Sequence, residues 1–319
     1  QNLAFDVELT NGINVVVDVL KEGRTGIFLT RQIIPESFGT LGTTVFGNLG
    51  AVENKGIDVS LDYTKAFTRD FQMTLKGTFT FARNTVLAND EPPFTKYKNL
   101  SLVGHPINSL LGYDAERLFI DGAEIVKSPL QQLGGFIQAG DIKYRDVTNH
   151  IDGLNMVNSD DRIRMGYPTV PEIVYGFGPS FKYKKLDFSF FLQGISRTSF
   201  FISGFHPFGT SSIRNVLQFI DEDRWSTSNP NIYADYPRLS KLDNPNNTAN
   251  SSYWLRDGSF LKLRNAEIGY NYKFTRIYLS GYNLLTFSKF KLWDPEQGGG
   301  NGLGYPTQRV VNIGVQMGL

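Results

Sequence analysis

Apolar and polar residues alternate along most of the chain. The clearest stretch is FQMTLKGTFTF at 71–81, and the same alternation recurs at 3–9, 57–64 and 186–193. Successive side chains on a β-strand point to opposite faces, so this period of two is typical of strands and not of helices. The pattern therefore predicts an all-β protein whose strands have one apolar face and one polar face.

Two stretches near the end of the chain refine this picture. At 260–272 the alternation slips by one position, which predicts a β-bulge around Arg264–Asn265. The final stretch, RVVNIGVQMGL at 309–319, is apolar on one side and carries only Asn, Gly and Gln on the other. Such a strand is expected between lipid and a wet lumen.

Short and long connections alternate between the predicted strands. The short turns are Thr10-Asn11-Gly12, Thr68-Arg69-Asp70, Lys184-Lys185 and Lys273-Phe274-Thr275. The long polar segments are 31–52, 85–170, 203–258 and 288–305. Outer-membrane barrels carry short periplasmic turns and long extracellular loops. The chain is therefore predicted to form an antiparallel transmembrane β-barrel with this sidedness.

The number of strands indicates that the barrel is incomplete. We expect about nine strands of ten to fourteen residues, with room for one more pair around 100–119. Nine to eleven strands leave an open edge, which is costly in lipid because backbone groups stay unpaired. Residue 1 already lies inside a predicted strand. We therefore expect the remaining strands to come from a preceding segment or a partner chain.

Composition removes several classes of function. The 32 basic and 31 acidic residues nearly balance, so nothing indicates a nucleic-acid partner. The chain has no cysteine, which excludes disulfides and thiol chemistry. It also contains neither a GxSxG motif, nor a P-loop, nor a GxGxxG segment that opens a helix. We predict that it is not an enzyme and has no organic cofactor.

Several segments, in order along the chain, match a known family pattern: NLGAVENKGIDVSLDY (48–63), VGHPINSLLGYDAERLFID (103–121), GDIKYRDV (140–147), YGFGPSFKYKKLDFSFFLQG (175–194), RWSTSNPNIYADYPRLS (224–240), WLRDGSFLKLRNAEIGYNY (254–272) and YNLLTFSKFKLWDPEQ (282–297). Together they resemble the C-terminal part of SusC/RagA-type TonB-linked outer-membrane transporters of Bacteroidetes. The resemblance covers essentially the whole chain.

The resemblance implies a 22-stranded barrel of which residues 1–319 form the C-terminal part, with the N-terminal plug and early strands absent. It implies location in the bacterial outer membrane and contact with outer-membrane lipid. It also implies energy coupling to a TonB/ExbB/ExbD complex through the missing N-terminal part, and a SusD-like lipoprotein that covers the barrel. Substrates in the family include oligosaccharides and peptides.

The resemblance also suggests a metal site in the acidic stretch DVTNHIDGLNMVNSDD at 146–161. The family often carries a compact calcium-like loop there, so Asp146, Asp152 and Asp160 are candidate Ca²⁺ ligands. The spacing in this chain is stretched relative to that loop. The alternative is a solvated, turn-rich loop without a metal.

Two further sets of residues are candidates for function. Trp225, Tyr233, Tyr236 and Trp254 are predicted to contact substrate or the lid, because aromatic rings stack on sugars and on peptide side chains; the alternative is that they order long loops. Asn312, Gly314, Met317 and Leu319 resemble the C-terminal signal that barrel-insertion machinery recognises, with Leu319 where Phe is usual.

Two other functions are compatible with parts of the pattern. A soluble carbohydrate-binding β-sandwich would explain the alternation, but not the separation of short turns from long loops. A passive porin-like barrel would explain both, without energy coupling.

Overall fold

The computed structural model describes residues 1–9, 12–34, 39, 44–92, 96–204 and 216–318. Strands and helices are numbered in chain order within these ranges. The long strands are β1 (Asn2–Leu9), β2 (Ile13–Thr30), β3 (Phe46–Ala66), β4 (Phe71–Ala88), β11 (Ile173–Tyr183), β12 (Leu186–Ser196), β15 (Phe260–Tyr272), β16 (Thr275–Ser288) and β17 (Val310–Met317).

The connections contain short elements. The short strands are β5 (Leu110–Gly112), β6 (Ala115–Leu118), β7 (Leu130–Gln131), β8 (Ile142–Tyr144), β9 (Met156–Val157), β10 (Ile163–Met165), β13 (Ser199–Phe201) and β14 (Leu255–Asp257). The α-helices are α1 (Gly122–Lys127), α2 (Asn149–Asp152), α3 (Gln218–Glu222) and α4 (Pro245–Thr248), and 3-10 helices cover Lys98–Leu100, Ser159–Asp161 and Pro295–Gln297. None of the helices in the described ranges has the length and apolar character needed to cross a bilayer.

The nine long strands form one antiparallel sheet, which we call the wall. Its strand order is β1-β2-β3-β4-β11-β12-β15-β16-β17, so each strand pairs with its neighbour in the chain order of the long strands. The register between β15 and β16 shifts between Leu263 and Asn265, which confirms the predicted bulge. This up-and-down order is that of an antiparallel barrel wall.

The register gathers the predicted apolar residues on one face of the wall. Val17 pairs with Val59, which pairs with Phe79, which pairs with Tyr175. At the far edge Ile313 is 80% exposed. The other sheets in the described part of the chain have two strands each, so they cannot form the second layer of a sandwich. The sandwich alternative is wrong because, in the described ranges, no second sheet packs against the apolar face.

The height of the apolar face matches a membrane. On β4 the apolar positions run from Phe71 to Phe81. These ten residue steps, at about 3.4 Å each and with a strand tilt of about 45°, give a height of about 24 Å. Transmembrane barrels carry an apolar band of about 25 Å. The wall therefore has the dimensions of a lipid-facing surface.

The connections are separated as predicted. The turns at Lys184 and Lys273 are tight, and both residues adopt a φ of 53°, which two-residue hairpin turns require. The β1–β2 turn includes Thr10 and Asn11, which lie outside the described residues. The long loops all leave the opposite end of the wall, because adjacent strands are antiparallel.

Two expectations about strands are wrong. β3 has 21 residues and both β2 and β4 have 18, so these strands are longer than predicted. They extend beyond the apolar band, where Glu53 on β3 forms one ion pair with Lys21 across the sheet and another with Lys55 on its own strand. The extra pair expected around 100–119 does not join the wall; β5 and β6 form two-stranded ladders within a loop.

Gly314 on β17 allows a close approach of the Tyr278 ring from the paired strand. A β-carbon at Gly314 would overlap that ring. We expect Gly314→Ala in the full-length protein to lower stability by about 1–3 kcal/mol, because inserted atoms strain a packed contact. Heat-dependent gel mobility of the folded barrel measures this. Gly318→Ala is the control, because its nearest added contact is 3.9 Å away. Equal midpoints for the two variants would contradict the prediction.

Candidate functional site

The described parts of the three later long loops, within 89–172, 197–259 and 289–309, fold together into one body, which we call the loop assembly. Its backbone contacts join distant segments: Leu118 N donates to Ile232 O over 2.9 Å and Ile202 N donates to Trp254 O over 3.0 Å. The assembly has a hydrophobic core, whose buried members are Leu118, Ile142, Tyr144, Val157, Phe200, Ile202, Ile220, Trp225, Ala234, Tyr236, Trp254 and Phe290. The protein-packed core therefore lies in the loops and not under the wall.

A buried asparagine-rich segment holds the centre of the loop assembly. Asn246 and Asn247 are completely buried. The Asn246 amide donates to Ile142 O over 2.8 Å, and the Ile142 amide donates to Asn247 Oδ1 over 2.9 Å. Buried backbone groups need such partners, and these asparagines supply them where no long strand does. Sequence reasoning missed this segment, although the run NPNN at 244–247 is a usable turn signal.

The same segment surrounds a buried charge. Asp141 is fully buried and lies 2.8 Å from Arg238 Nε, and it accepts hydrogen bonds from the side-chain amides of Asn244 and Asn247. A buried carboxylate left without partners is strongly destabilising. Asp141 therefore ties three parts of the loop assembly together.

Three of the four predicted substrate aromatics belong to this core. Trp225, Tyr236 and Trp254 are 8%, 5% and 1% exposed. The loops enclose their rings, which disfavours contact with substrate, and that contact stays an untested prediction. Their burial supports the alternative role of ordering the loops. Tyr233 is different, since it is 73% exposed.

Tyr233 borders a cavity of about 310 Å³ in the loop assembly. The charged residues lining it are Glu116, Arg117, Asp235 and Arg256. The Arg117 guanidinium donates a hydrogen bond to the Glu124 carboxyl on α1, which partly neutralises Arg117. The same bond lowers the pKa of the Glu124 carboxyl to about 2. The cavity therefore offers charges of both signs and the rings of Tyr233 and Tyr253, which suits a polar ligand.

The predicted calcium residues lie in separate turns. Asp146 accepts hydrogen bonds from the amides of Asn149 and Met156, and burial raises the pKa of its carboxyl. Asp152 accepts from the Leu154 amide, which lowers the pKa of that carboxyl. Among the described residues, no group of three or more acidic or histidine side chains is arranged to hold a metal ion. This geometry favours the turn-rich alternative, and calcium binding stays an untested prediction.

The third candidate ligand, Asp160, has a neighbour that organises this loop. The Asp160 amide donates to Asn158 Oδ1, whereas Asp161 is completely buried. Asp161 accepts from the Val147 and Thr148 amides, each over 2.9 Å, and from the Asn158 amide over 2.7 Å. The carboxylate that shapes the acidic loop is therefore Asp161, which the candidate set did not include.

The last long loop is fixed to the polar face of the wall by four charged residues, which we call the loop anchor. Lys262 on β15 is 1% exposed, and its Nζ lies 2.7 Å from both Asp294 and Glu296. Arg264 lies 2.5 Å from Glu296 and holds the pKa of that carboxyl below its ordinary value. Since Lys262 pairs with Gln193, the anchor lies on the face predicted to line the lumen.

The polar face continues toward the short turns. Arg276 pairs there with Asp187 and Glu267. Further polar residues share this face by register: Asp58, Asp62, Thr74, Lys76 and Thr78. The polar face therefore carries polar and charged side chains along its height.

The insertion-signal residues take the predicted faces of β17. Asn312 and Gly314 pair with Ser280 and Tyr278 on the polar face, and Met317 pairs with Thr275. Met317 is 74% exposed, on the same face as Ile313. Leu319 lies outside the described residues. Recognition by insertion machinery stays a prediction.

The chain is similar to two proteins of Formosa agariphila, TonB-dependent receptors P26 and P3. It is 28% identical to P26 over 332 residues, which cover 92% of this chain and 32% of P26. It is 25% identical to P3 over 330 residues, which cover 92% of this chain and 31% of P3. The chain therefore spans about a third of the length of these curated relatives. No family model matches it.

Its fold matches solved structures of the RagAB peptide importer. One, in the open-open state, has a TM-score of 0.74 at 20% identity and covers 99% of this chain and 34% of that one. A second has a TM-score of 0.71 at 21% identity, with 99% and 34% covered. These matches confirm the antiparallel barrel fold, while the count of 22 strands stays a prediction. Together the relatives confirm the resemblance to TonB-dependent, SusC/RagA-type proteins and the outer-membrane localisation.

Because Trp254 is buried and Tyr233 is exposed, their alanine variants should differ in stability. Trp254→Ala removes a buried ring whose Nε1 donates to Asn247 O over 2.7 Å, so it should destabilise the loop assembly by about 3–5 kcal/mol. Tyr233→Ala removes an exposed ring and should change stability by less than about 0.5 kcal/mol. Hydrogen exchange across 216–258 in the full-length protein measures both. Similar loss of protection in the two variants would contradict this assignment.

Calcium should not stabilise the acidic loop, because its carboxylates already accept backbone hydrogen bonds. We expect added Ca²⁺ to shift melting and proteolysis of 146–161 equally, or not at all, in the wild type and in Asp152→Ala/Asp160→Ala. A calcium-dependent protection that the double variant loses would contradict this and establish a metal site.

Proposed function

We propose that this chain forms the C-terminal part of the barrel of a TonB-dependent nutrient importer in the bacterial outer membrane. The observation that carries the proposal is the wall, with an exposed apolar face about 24 Å high, a charged opposite face, and a folded loop assembly at one end. A soluble binding protein would have no use for the exposed apolar face.

The polar face would line the transport path. The loop anchor attaches the last long loop to this face, since Lys262 and Arg264 on β15 hold Asp294 and Glu296. An ion pair network with one nearly buried cation resists solvent screening better than exposed pairs do. The loops would therefore keep a defined position over the lumen while substrate passes.

The substrates would be oligosaccharides or peptides. The cavity beside Tyr233 supports this class, because Glu116, Arg117, Asp235 and Arg256 can bind polar groups of either charge. Tyr233 adds an exposed ring that can stack on a sugar or on a peptide side chain. A small apolar ligand would gain little from this lining.

The other parts of the proposed importer would lie outside this chain. The curated relatives are about three times as long as the matched region, which leaves room for a plug and for the remaining strands of a 22-stranded barrel. The relatives' names support coupling to a TonB/ExbB/ExbD complex. The likeness to SusC/RagA-type proteins supports a SusD-like lipoprotein lid above the loop assembly. Catalysis has no part in this account.

Uptake by cells that carry the full-length protein tests the proposal. Cells are offered a panel of labelled oligosaccharides and peptides, with and without a protonophore. We expect the gene to be required for accumulation of one class above its external concentration, and the protonophore to abolish that accumulation.

Two other results would contradict the proposal. Uptake that stops when the internal substrate concentration equals the external one, and that the protonophore does not change, would establish a passive porin. Recovery of the protein in buffer without detergent would contradict the assignment as a membrane barrel.

A further inference from the structure

Three cations lie side by side on the apolar side of the wall, just beyond the apolar band. Lys21 on β2 pairs directly with Lys55 on β3, and Lys55 pairs directly with Arg83 on β4. We call these three residues the basic row. Their side chains are 54%, 60% and 49% exposed. Like charges placed opposite each other destabilise a sheet, so this arrangement needs an explanation.

The basic row shares its face with the lipid-facing residues. One row nearer the short turns, Val19 pairs with Ile57 and Ile57 pairs with Phe81. Each cation is two positions from one of these apolar residues, so it points to the same side of the wall. Two residue steps on a tilted strand raise it by about 5 Å. The basic row therefore lies at the level of lipid headgroups on the long-loop side.

Neighbouring carboxylates neutralise only part of this charge. Glu53 lies 2.9 Å from Lys21 and 2.5 Å from Lys55. Glu172 lies 3.4 Å from Arg83, and it also lies 2.8 Å from Arg197. Counting Arg197, four cations meet two carboxylates, which leaves an excess of two positive charges. An anion from outside the chain can balance this excess.

The other end of the apolar face is different. Near the short turns it carries Tyr270, whose partner is Leu186, and Phe71, which pairs with Tyr183 and packs edge-on against that ring at 6.4 Å between centroids. Aromatic rings suit an interface without specific charge. Lys65 is a cation at this end of the same face, but its partner in the sheet is Met73, so the directly paired cations lie on the long-loop side.

We propose that the basic row binds phosphate groups of a phosphorylated lipid in the outer leaflet of the outer membrane. This inference rests on the proposed function, because it needs the long loops to face outward. Lys and Arg donate charge-assisted hydrogen bonds to phosphate oxygens while their stems lie along the apolar band. The bound lipid would stabilise β2–β4 where they leave the membrane and would relieve repulsion between the paired cations.

Lipid retention by the full-length protein tests the inference. Detergent-purified protein is mixed with phosphorylated lipid A, or with the same lipid A after phosphatase treatment, and bound lipid is counted by native mass spectrometry. We expect Lys21→Gln/Lys55→Gln/Arg83→Gln to weaken retention of the phosphorylated form about 100-fold. Lys65→Gln/Lys184→Gln/Lys185→Gln, with the same charge change at the short-turn end, should retain it like the wild type.

The outcomes separate this inference from the proposed function. Equal retention of phosphorylated lipid A by the basic-row variant and the wild type would overturn the inference. In a second comparison, equal retention of phosphorylated and dephosphorylated lipid A by the wild type would also overturn it. The second comparison needs no variant, so it holds even where a variant folds poorly. Failure of the wild type to fractionate with the outer membrane would instead overturn the proposed function, and the inference with it.

Discussion

The structure depends on one constraint: the wall separates two solvents and so cannot contain the hydrophobic core. Ile313 and Met317 are mostly exposed on one face, while Lys262 and Arg276 form ion pairs on the other. A β-sheet with these two faces is stable only where lipid covers the first and water the second. Burial against other protein segments must therefore be found elsewhere, and in this chain it is found in the loops.

The loop assembly meets this need with a small domain of its own. Aromatic rings such as Trp254 fill its centre, and Asn246 and Asn247 satisfy backbone groups that no long strand can reach. Asp141 and Arg238 join its segments through a buried ion pair, and the loop anchor fixes it to the polar face. Long loops that carry a core can hold a binding surface in place, which irregular solvated loops cannot do.

The sequence predicted the wall well because its physics is local. A period of two, a slipped phase at Arg264 and tight turns such as Lys184-Lys185 are visible in a single strand or hairpin. The lengths of β2–β4 were underestimated, because beyond the membrane both faces are polar and the alternation that marks a strand disappears. The backbone register shows that the strands continue, because it pairs Lys21 with Lys55 and Lys55 with Arg83.

The candidate site was predicted less well, because burial inside a loop assembly is a tertiary property. Trp225, Tyr236 and Trp254 occur in polar segments, where an aromatic ring can equally be a ligand contact or a core residue. Their role depends on contacts with segments about a hundred positions away, such as the one that contains Tyr144. The same holds for Asp161, which is buried where Asp160 beside it is half-buried, because the amides of Val147 and Thr148 donate to its carboxylate.

Solvent accessibility along β17 tests the central claim most directly. These 319 residues contain no cysteine, so single cysteines at 311, 312, 313, 315 and 316 can each carry one spin label once any cysteine elsewhere in the full-length protein is replaced. In the full-length protein in lipid bilayers, labels at Val311, Ile313 and Val315 should be accessible to oxygen dissolved in lipid. Labels at Asn312 and Gln316 should be accessible to a water-soluble nickel complex. Nickel access at all five positions, or no alternation between them, would contradict a wall that separates lipid from water.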